Sequence, residues 1–362
     1  MTLLRKTIIL PVVVAWNVLF LIASTSAQTD EADLLNVRDA IDAPIQIIFD
    51  TDIGGDIDDA FALELLHVFA DRGICNLLGV TLTNSNVAAA RYVAAFNARY
   101  GRPDLPVGYS PNCRVTDSYP TKTIEKRDED GNLVYPVPEG FEPQDAVKLL
   151  RKLLANAQDG QVVVIQVGAC YNLANLLATE GDDISPLSGL ELAKKKVRLV
   201  SVMGGAFAVD PTAEAYRLHK EWNIICDIPA AQKFAAEWPS PVVYSGYEVG
   251  DRIRMSPVNL KRDYKGRSAI LYDSFGFWTA KNTKEGYNHR RPTWDLTSVL
   301  FVLRPEEGRD YFTLSEPGDV QFDDQGVTLF TPNKDGLSRC FLQTPEQRAR
   351  VSEAFVNLCA LP

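Results

Sequence analysis

Histidine and methionine are scarce, three of each in 362 residues, and the six cysteines (Cys75, Cys113, Cys170, Cys226, Cys340, Cys359) are widely scattered. No Cys-x-x-Cys pair and no other metal-ligand spacing occurs, which excludes a cysteine-bound metal or redox centre. Disulfides and buried free thiols both remain open, and Cys340 with Cys359 is the one pairing to consider. Basic charge is also deficient: 37 Lys and Arg face 47 Asp and Glu, a formal net charge of −10. That balance argues against a nucleic-acid surface and agrees with a small or neutral ligand, or a cation. Internal repeats, low-complexity tracts and interdomain linkers are missing, so a solenoid is excluded and residues 28–362 read as one domain.

Long apolar runs are missing as well. The run from Thr7 to Leu21 is short for a membrane span and contains Asn17. With Arg5 and Lys6 before it and Ala23-Ser24-Thr25-Ser26-Ala27 after it, the segment reads as a cleavable signal over residues 1–27. No cysteine follows for lipid attachment, so the expectation is a secreted or periplasmic protein without a stable membrane anchor. Loss of Arg5 and Lys6 takes the charge from −10 to −12.

What is present is an alternation of strand and helix. Continuous apolar runs at Ala43–Phe49, Leu77–Leu82, Val162–Val167, Val197–Met203 and Pro241–Tyr244 alternate with helical spacing. The helical patterns fall at Asp59–Phe69, Ala88–Tyr100, Gln144–Ala157, Leu173–Ala178 and Ala230–Trp238. Strands apolar on both faces predict an α/β fold with a mainly parallel, Rossmann-like central sheet flanked by helices. Residues 320–330 read as a C-terminal β-hairpin with a Gly-containing turn. Ser110–Pro143, rich in charge, Pro and Gly, reads as a solvated surface loop.

The most pointed feature is the turn after the first strand, Asp50-Thr51-Asp52-Ile53-Gly54-Gly55-Asp56-Ile57-Asp58-Asp59. Five aspartates in ten residues repel one another unless a cation or protons neutralise them. Hard oxygen donors favour Ca²⁺ over Zn²⁺, and the two glycines let the backbone bend around an ion. A purely structural Asx turn and helix cap accounts for Asp58 or Asp59 but not for five aspartates. An EF-hand loop needs Glu at its twelfth position, where Phe61 stands. A haloacid dehalogenase-type phosphotransferase also opens on strand-Asp-x-Asp but lacks the Gly-Gly-Asp-x-Asp-Asp continuation, and it is the weaker alternative.

The turn resembles the opening Asp-x-Asp-Pro-Gly-x-Asp-Asp-Ala motif of the calcium-dependent, inosine-uridine preferring nucleoside hydrolases. Asp50-Thr51-Asp52 and Asp58-Asp59-Ala60 match its two ends, with Ile53 in place of proline and two residues added. Further segments are similar in the same order. Gly79–Val87 resembles the segment that carries a ribose-binding asparagine, here Asn86, and Gly101–Val107 looks like Gly-Arg-x-Asp-x-Pro-Val. Gly168–Ala174 looks like Gly-Pro-Leu-Thr-Asn-Ile-Ala, Val202–Gly205 resembles the next strand end, and Glu221-Trp222-Asn223 resembles Glu-Phe-Asn. Thr293-Trp294-Asp295 stands where most members have His-Asp.

The resemblance implies hydrolysis of a ribonucleoside N-glycosidic bond, with Ca²⁺ held by Asp52, Asp59, Asp295 and the Val167 carbonyl. Asp52 would be the base that activates a water, and Asp58, Asn86, Glu221 and Asn223 would bind the ribose. Trp294, in the place of the leaving-group histidine, implies stacking on a purine, although a packed indole at a helix start accounts for it equally well. His289 is the alternative acid, while His67 and His219 read as structural. Asp56, brought in by the added residues, competes with Asp52 for the metal and the base role. Family members are commonly dimers or tetramers. Two rival readings stay open: a non-catalytic calcium- and ribose-binding protein on the same scaffold, and a hydrolase of another ribosyl compound.

Overall fold

The computed structural model describes residues 44–209, 211–265, 268–303 and 311–360. The leader expected over residues 1–27 and the side chain of Cys359 lie outside the described residues.

The first strand, β1 (Ile45–Thr51), shows why the strands read as continuous apolar runs. Ile47 and Phe49 point into one core and Ile48 into another. In β5 (Val162–Gln166), Val163 and Ile165 join the first core, Val162 and Val164 the second. Successive side chains of a strand alternate faces, so a sheet covered on both sides needs apolar residues at nearly every position.

The other strands are β2 (Cys75–Leu82), β3 (Val107–Tyr109), β4 (Gln144–Asp145), β6 (Val197–Met203), β7 (Val242–Ser245), β8 (Thr313–Leu314), β9 (Gly318–Phe322), β10 (Thr328–Pro332) and β11 (Ser338–Leu342). They form an eleven-stranded sheet in the order β10-β9-β11-β7-β6-β5-β1-β2-β3-β4, with β8 on β11. Neighbours from β11 to β4 are parallel, and the antiparallel β9–β10 hairpin at one edge is the one expected near residues 320–330. The chain runs outward from β1 through β2 and β3 to β4, then returns to β5 on the other side of β1. This reversal between β1 and β5 opens a crevice at the carboxyl ends of the two strands, where ligands of such sheets bind.

Helices α1 (Asp58–Asp71), α2 (Val87–Arg99), α3 (Ala269–Asn282) and α4 (Trp294–Leu303) supply the first core. The helices at Ala146–Asn156, Tyr171–Leu177, Gly189–Lys196 and Ile228–Glu237 supply the second. Among the described residues no helix is long and apolar enough to cross a membrane.

The stretch 110–143 departs from the expected solvated loop. Residues 127–133 are exposed, but Ser110, Tyr119, Pro120, Thr123 and Tyr135 are buried. Asp273 of α3 receives the Tyr135 hydroxyl at 2.5 Å and an ion pair from Lys126. Composition showed the charged tip; on either side of it Tyr119 packs edge-on against Tyr92 of α2 and Tyr135 bonds to α3.

Candidate active site

The site grows from the end of β1. Asp50 is fully buried and accepts from the Thr81 hydroxyl of β2 at 2.5 Å and from Asn172 Nδ2 at 2.7 Å. Burial pushes its carboxyl up to about 7. Asp50 therefore knits the strand ends together. Beyond it, the Thr51 hydroxyl donates to Asp59 and accepts from Ile53 N at 3.1 Å. Gly54 has φ +125°, and a Cβ there would lie 2.7 Å from Asn84 Nδ2, which donates to the Ile53 carbonyl at 3.0 Å. Only glycine meets both demands. Ser118 N donates to the Gly54 carbonyl at 2.7 Å, so the 110–143 segment also holds the turn.

This turn delivers Asp58 and Asp59 to the first turn of α1, where negative charge suits the helix dipole. Asp295, in the first turn of α4, meets them from the far end of the sequence. All three are buried, and their carboxylate oxygens lie within 4.8 Å of one another. Desolvation first, and repulsion from neighbouring carboxylates second (Asp59 on Asp58, Asp52 on Asp59, Asp58 on Asp295), hold all three carboxyls well above the usual range. Asp52, hydrogen-bonded to Asp59, is pushed up to about 6 mainly by burial.

These carboxylates line a cavity of about 440 Å³ that also takes in Val167, Met203, Glu221, Asn223 and Trp294. Asn223 Nδ2 donates to the carbonyls of Val167 and Met203, both at 3.1 Å, and so ties β5 to β6. Glu221 accepts from Asn223 N (2.9 Å), Gly205 N (3.2 Å) and Ile224 N (3.2 Å), with burial raising its carboxyl to about 7. A smaller cavity of about 90 Å³ shares Asp52 and Trp222 and adds Cys113 and Arg114, whose guanidinium lies 4.3 Å from the Trp222 ring centroid. A separate cavity of about 310 Å³, lined by Arg252, Arg254 and Arg290, shares no residue with either.

The structure thus gathers eight of the nine expected site residues: Asp52, Asp58, Asp59, Val167, Glu221, Asn223, Trp294 and Asp295. Asn86 is the exception and does not line the cavity. Its side chain accepts from Ala88 N at 2.9 Å and donates to the Thr116 carbonyl at 3.3 Å. An asparagine directly before α2 is a natural N-cap for that helix, and the cap takes its oxygen. Asp58, expected on the ribose, lies with Asp59 and Asp295 in the carboxylate trio and lines the same cavity as Glu221 and Asn223.

The rivals for the acid and base roles also find their places. Asp56 forms an ion pair with Arg291 and accepts from Ile57 N at 2.6 Å, which turns it from the trio toward a cation. His289 Nδ1 lies 2.7 Å from Glu285, and the ring is outside the cavity lining. His67 is buried with Nε2 2.9 Å from Asn97 Oδ1, a structural pair as expected. His219 does stand in the cavity wall, 3.8 Å between centroids from Tyr247. Trp294 donates through Nε1 to the Tyr247 carbonyl at 2.9 Å, with its ring 5.2 Å from that of Tyr247.

Sequence reading missed Arg291, Trp278, Arg114 and Tyr247. The Arg291 guanidinium lies 4.9 Å from the Trp278 ring centroid and 4.7 Å from that of Trp294, and burial lowers its pKa to about 10. An arginine amid charged neighbours (His289-Arg290-Arg291) carries no sequence sign that it turns inward.

A family profile for inosine-uridine preferring nucleoside hydrolases matches residues 47–355. A plant nucleoside hydrolase is similar in structure, with 22% identity, TM-score 0.62, and coverage of 88% of this chain and 100% of the other. The purine-preferring ribonucleoside hydrolase of Gardnerella vaginalis has 19% identity and TM-score 0.64 over 87% and 98%. An inosine-uridine preferring nucleoside hydrolase of Bacillus anthracis has 18% identity and TM-score 0.61 over 87% and 99%. No curated protein matches the chain in sequence. With the profile spanning nearly every element of the sheet, the chain belongs to the inosine-uridine preferring nucleoside hydrolases and is an N-glycosyl hydrolase of ribonucleosides.

Proposed function

We propose that the protein hydrolyses purine ribonucleosides with Ca²⁺ at the carboxylate trio and Asp52 as the base. The observation that carries the reading is the convergence of three buried carboxylates, Asp58, Asp59 and Asp295, and the half-buried Asp52 on the cavity that also holds Glu221 and Asn223. Buried like charges this close call for a cation, and an all-oxygen donor set suits a hard one. Asp58, Asp59 and Asp295 would hold it, with Asp52 and the Val167 carbonyl as further oxygen donors on the same cavity. When bound, Ca²⁺ supplies the charge that acidifies a water and anchors ribose hydroxyls.

The chain's own residues do the rest. Cleavage of the bond from C1′ to the base nitrogen builds positive charge on the sugar, which the surrounding carboxylates stabilise. Asp52, on the cavity wall beside the trio, takes the proton of the attacking water. Glu221 and Asn223, fixed by their own hydrogen bonds, present rigid polar atoms on the cavity wall against which sugar hydroxyls are measured. The aromatic wall of Trp294 and Tyr247 favours a purine, and one solved neighbour is named purine-preferring.

The test is release of ribose from purine and pyrimidine nucleosides, with and without a calcium chelator. Purines should be preferred and chelation should abolish turnover; turnover indifferent to chelation defeats the metal assignment. We also infer export, with mature protein beginning at Gln28, and assembly as a homodimer or homotetramer. Terminal sequencing and native mass measurement test these two inferences.

A further inference from the structure

The two residues added to the aspartate turn introduce Asp56, and Asp56 pairs with Arg291. The arginine side chain is 18% exposed, and its guanidinium lies close to two indole rings. One of these, Trp278, donates from Nε1 to the carbonyl of Gly55, also in the extended turn, at 3.2 Å. The other, Trp294, opens α4 and donates from its own Nε1 to the Tyr247 carbonyl at 2.9 Å. Turn, indoles and guanidinium therefore form one unit on the wall of the cavity that holds Asp52, and Arg291 and Trp294 both line that cavity. The guanidinium is directed to Asp56 although three buried carboxylates lie in the same cavity. Its Nε is buried and has no hydrogen-bond partner among the described residues. A cation bonded through one edge and stacked on aromatic faces is held rigidly, with donors to spare.

We propose that Arg291, positioned by Asp56, Trp278 and Trp294, stabilises the negative charge that develops on the departing nucleobase. This rests on the nucleoside hydrolase reading. The bond from C1′ to the base nitrogen breaks and its electron pair leaves with the base. The water oxygen bonds to C1′ and its proton passes to Asp52. The guanidinium donates hydrogen bonds to the base anion without losing a proton, since it stays protonated throughout the working range. The base then takes a proton from solvent, and Asp52 returns its own, so the reaction balances as hydrolysis.

The experiment compares inosine with 4-nitrophenyl β-D-riboside, whose aglycone leaves as a stable anion without assistance. Arg291→Gln should lower kcat on inosine by about a hundredfold or more, the scale of losing one charge-stabilising donor. The nitrophenyl riboside should be hydrolysed at close to the wild-type rate. Asp56→Asn, which releases the guanidinium but leaves the core intact, should show the same selective pattern with a smaller loss, and decides the matter if Arg291→Gln does not fold. Equal losses on both substrates, or no loss on either, overturn the proposal. So does a loss selective for inosine in His219→Gln with Arg291→Gln unaffected, which would assign the leaving group to the imidazole. A wild-type protein inactive on both ribosides overturns the hydrolase reading itself, a result distinct from failure of the Arg291 role.

Discussion

Replacing Asp58 by asparagine should change stability in opposite directions depending on whether a divalent cation is present. Asp58, Asp59 and Asp295 are buried with carboxylate oxygens within 4.8 Å of one another. Two unit charges at that separation repel by about 3.5 kcal/mol at an effective dielectric constant near 20. Asp58 faces two such neighbours, so neutralising it without metal removes on the order of 7 kcal/mol of repulsion, and uptake of protons by the wild-type trio reduces the observable gain to about a few kcal/mol. A bound cation reverses the sign, because the same carboxylate becomes an attractive donor. At a hundredfold excess over Kd the cation adds about 2.7 kcal/mol to the wild type, roughly 5 °C in Tm for a chain of this size. The assay is thermal melting of wild type and Asp58→Asn at pH 8, in chelator and in calcium. The variant should melt above wild type in chelator and below it in calcium. If the variant melts lower under both conditions, or calcium shifts both proteins equally, the trio is not a cation site and the reasoning fails.

Other consequences follow from named groups. Asp52→Ala should abolish turnover of every nucleoside while leaving the fold intact, as checked by ribose release and circular dichroism; residual activity within tenfold would require another base. Trp294→Ala should chiefly alter base preference, and an equal loss for all bases would point to packing against Tyr247 instead. Burial lowers the pKa of His67 from 6.5 to about 3. The unfolded chain therefore binds this proton first, so the stabilising contribution is complete above pH 6.5 and is lost as pH falls toward 3. At about 1.4 kcal/mol per unit the loss is up to ~5 kcal/mol. His67→Gln should flatten this part of the urea midpoint against pH, and an unchanged acid limb would refute the assignment. Arg151, 1% exposed, binds Asp182 through two nitrogens (2.8 and 3.0 Å), Thr179 Oγ1 (2.8 Å) and the Leu187 carbonyl (3.0 Å). Arg151→Ala should destabilise by about 3 kcal/mol in chemical unfolding, with kcat preserved in the cold.

The sequence by itself determined the inner strands of the sheet and the acidic character of its central turn. The inner strands were legible because a parallel strand covered on both faces must be apolar throughout, as Ile47, Ile48 and Phe49 are. The short strands β3 and β4 were not: three and two residues cannot show a period, and Gln144-Asp145 reads as the start of a helix. The aspartates of the turn suggested a cation site because carboxylates packed this closely repel one another unless they are neutralised. Only the tertiary structure decided how they divide: Asp50 into the strand hydrogen bonds, Asp56 to Arg291, and Asp58 and Asp59 to Asp295. It also decided that Asn86 caps a helix and that Arg291 faces the cavity. Residue type sets what a side chain can do, whereas its direction and partners depend on segments hundreds of residues away, which no local pattern encodes.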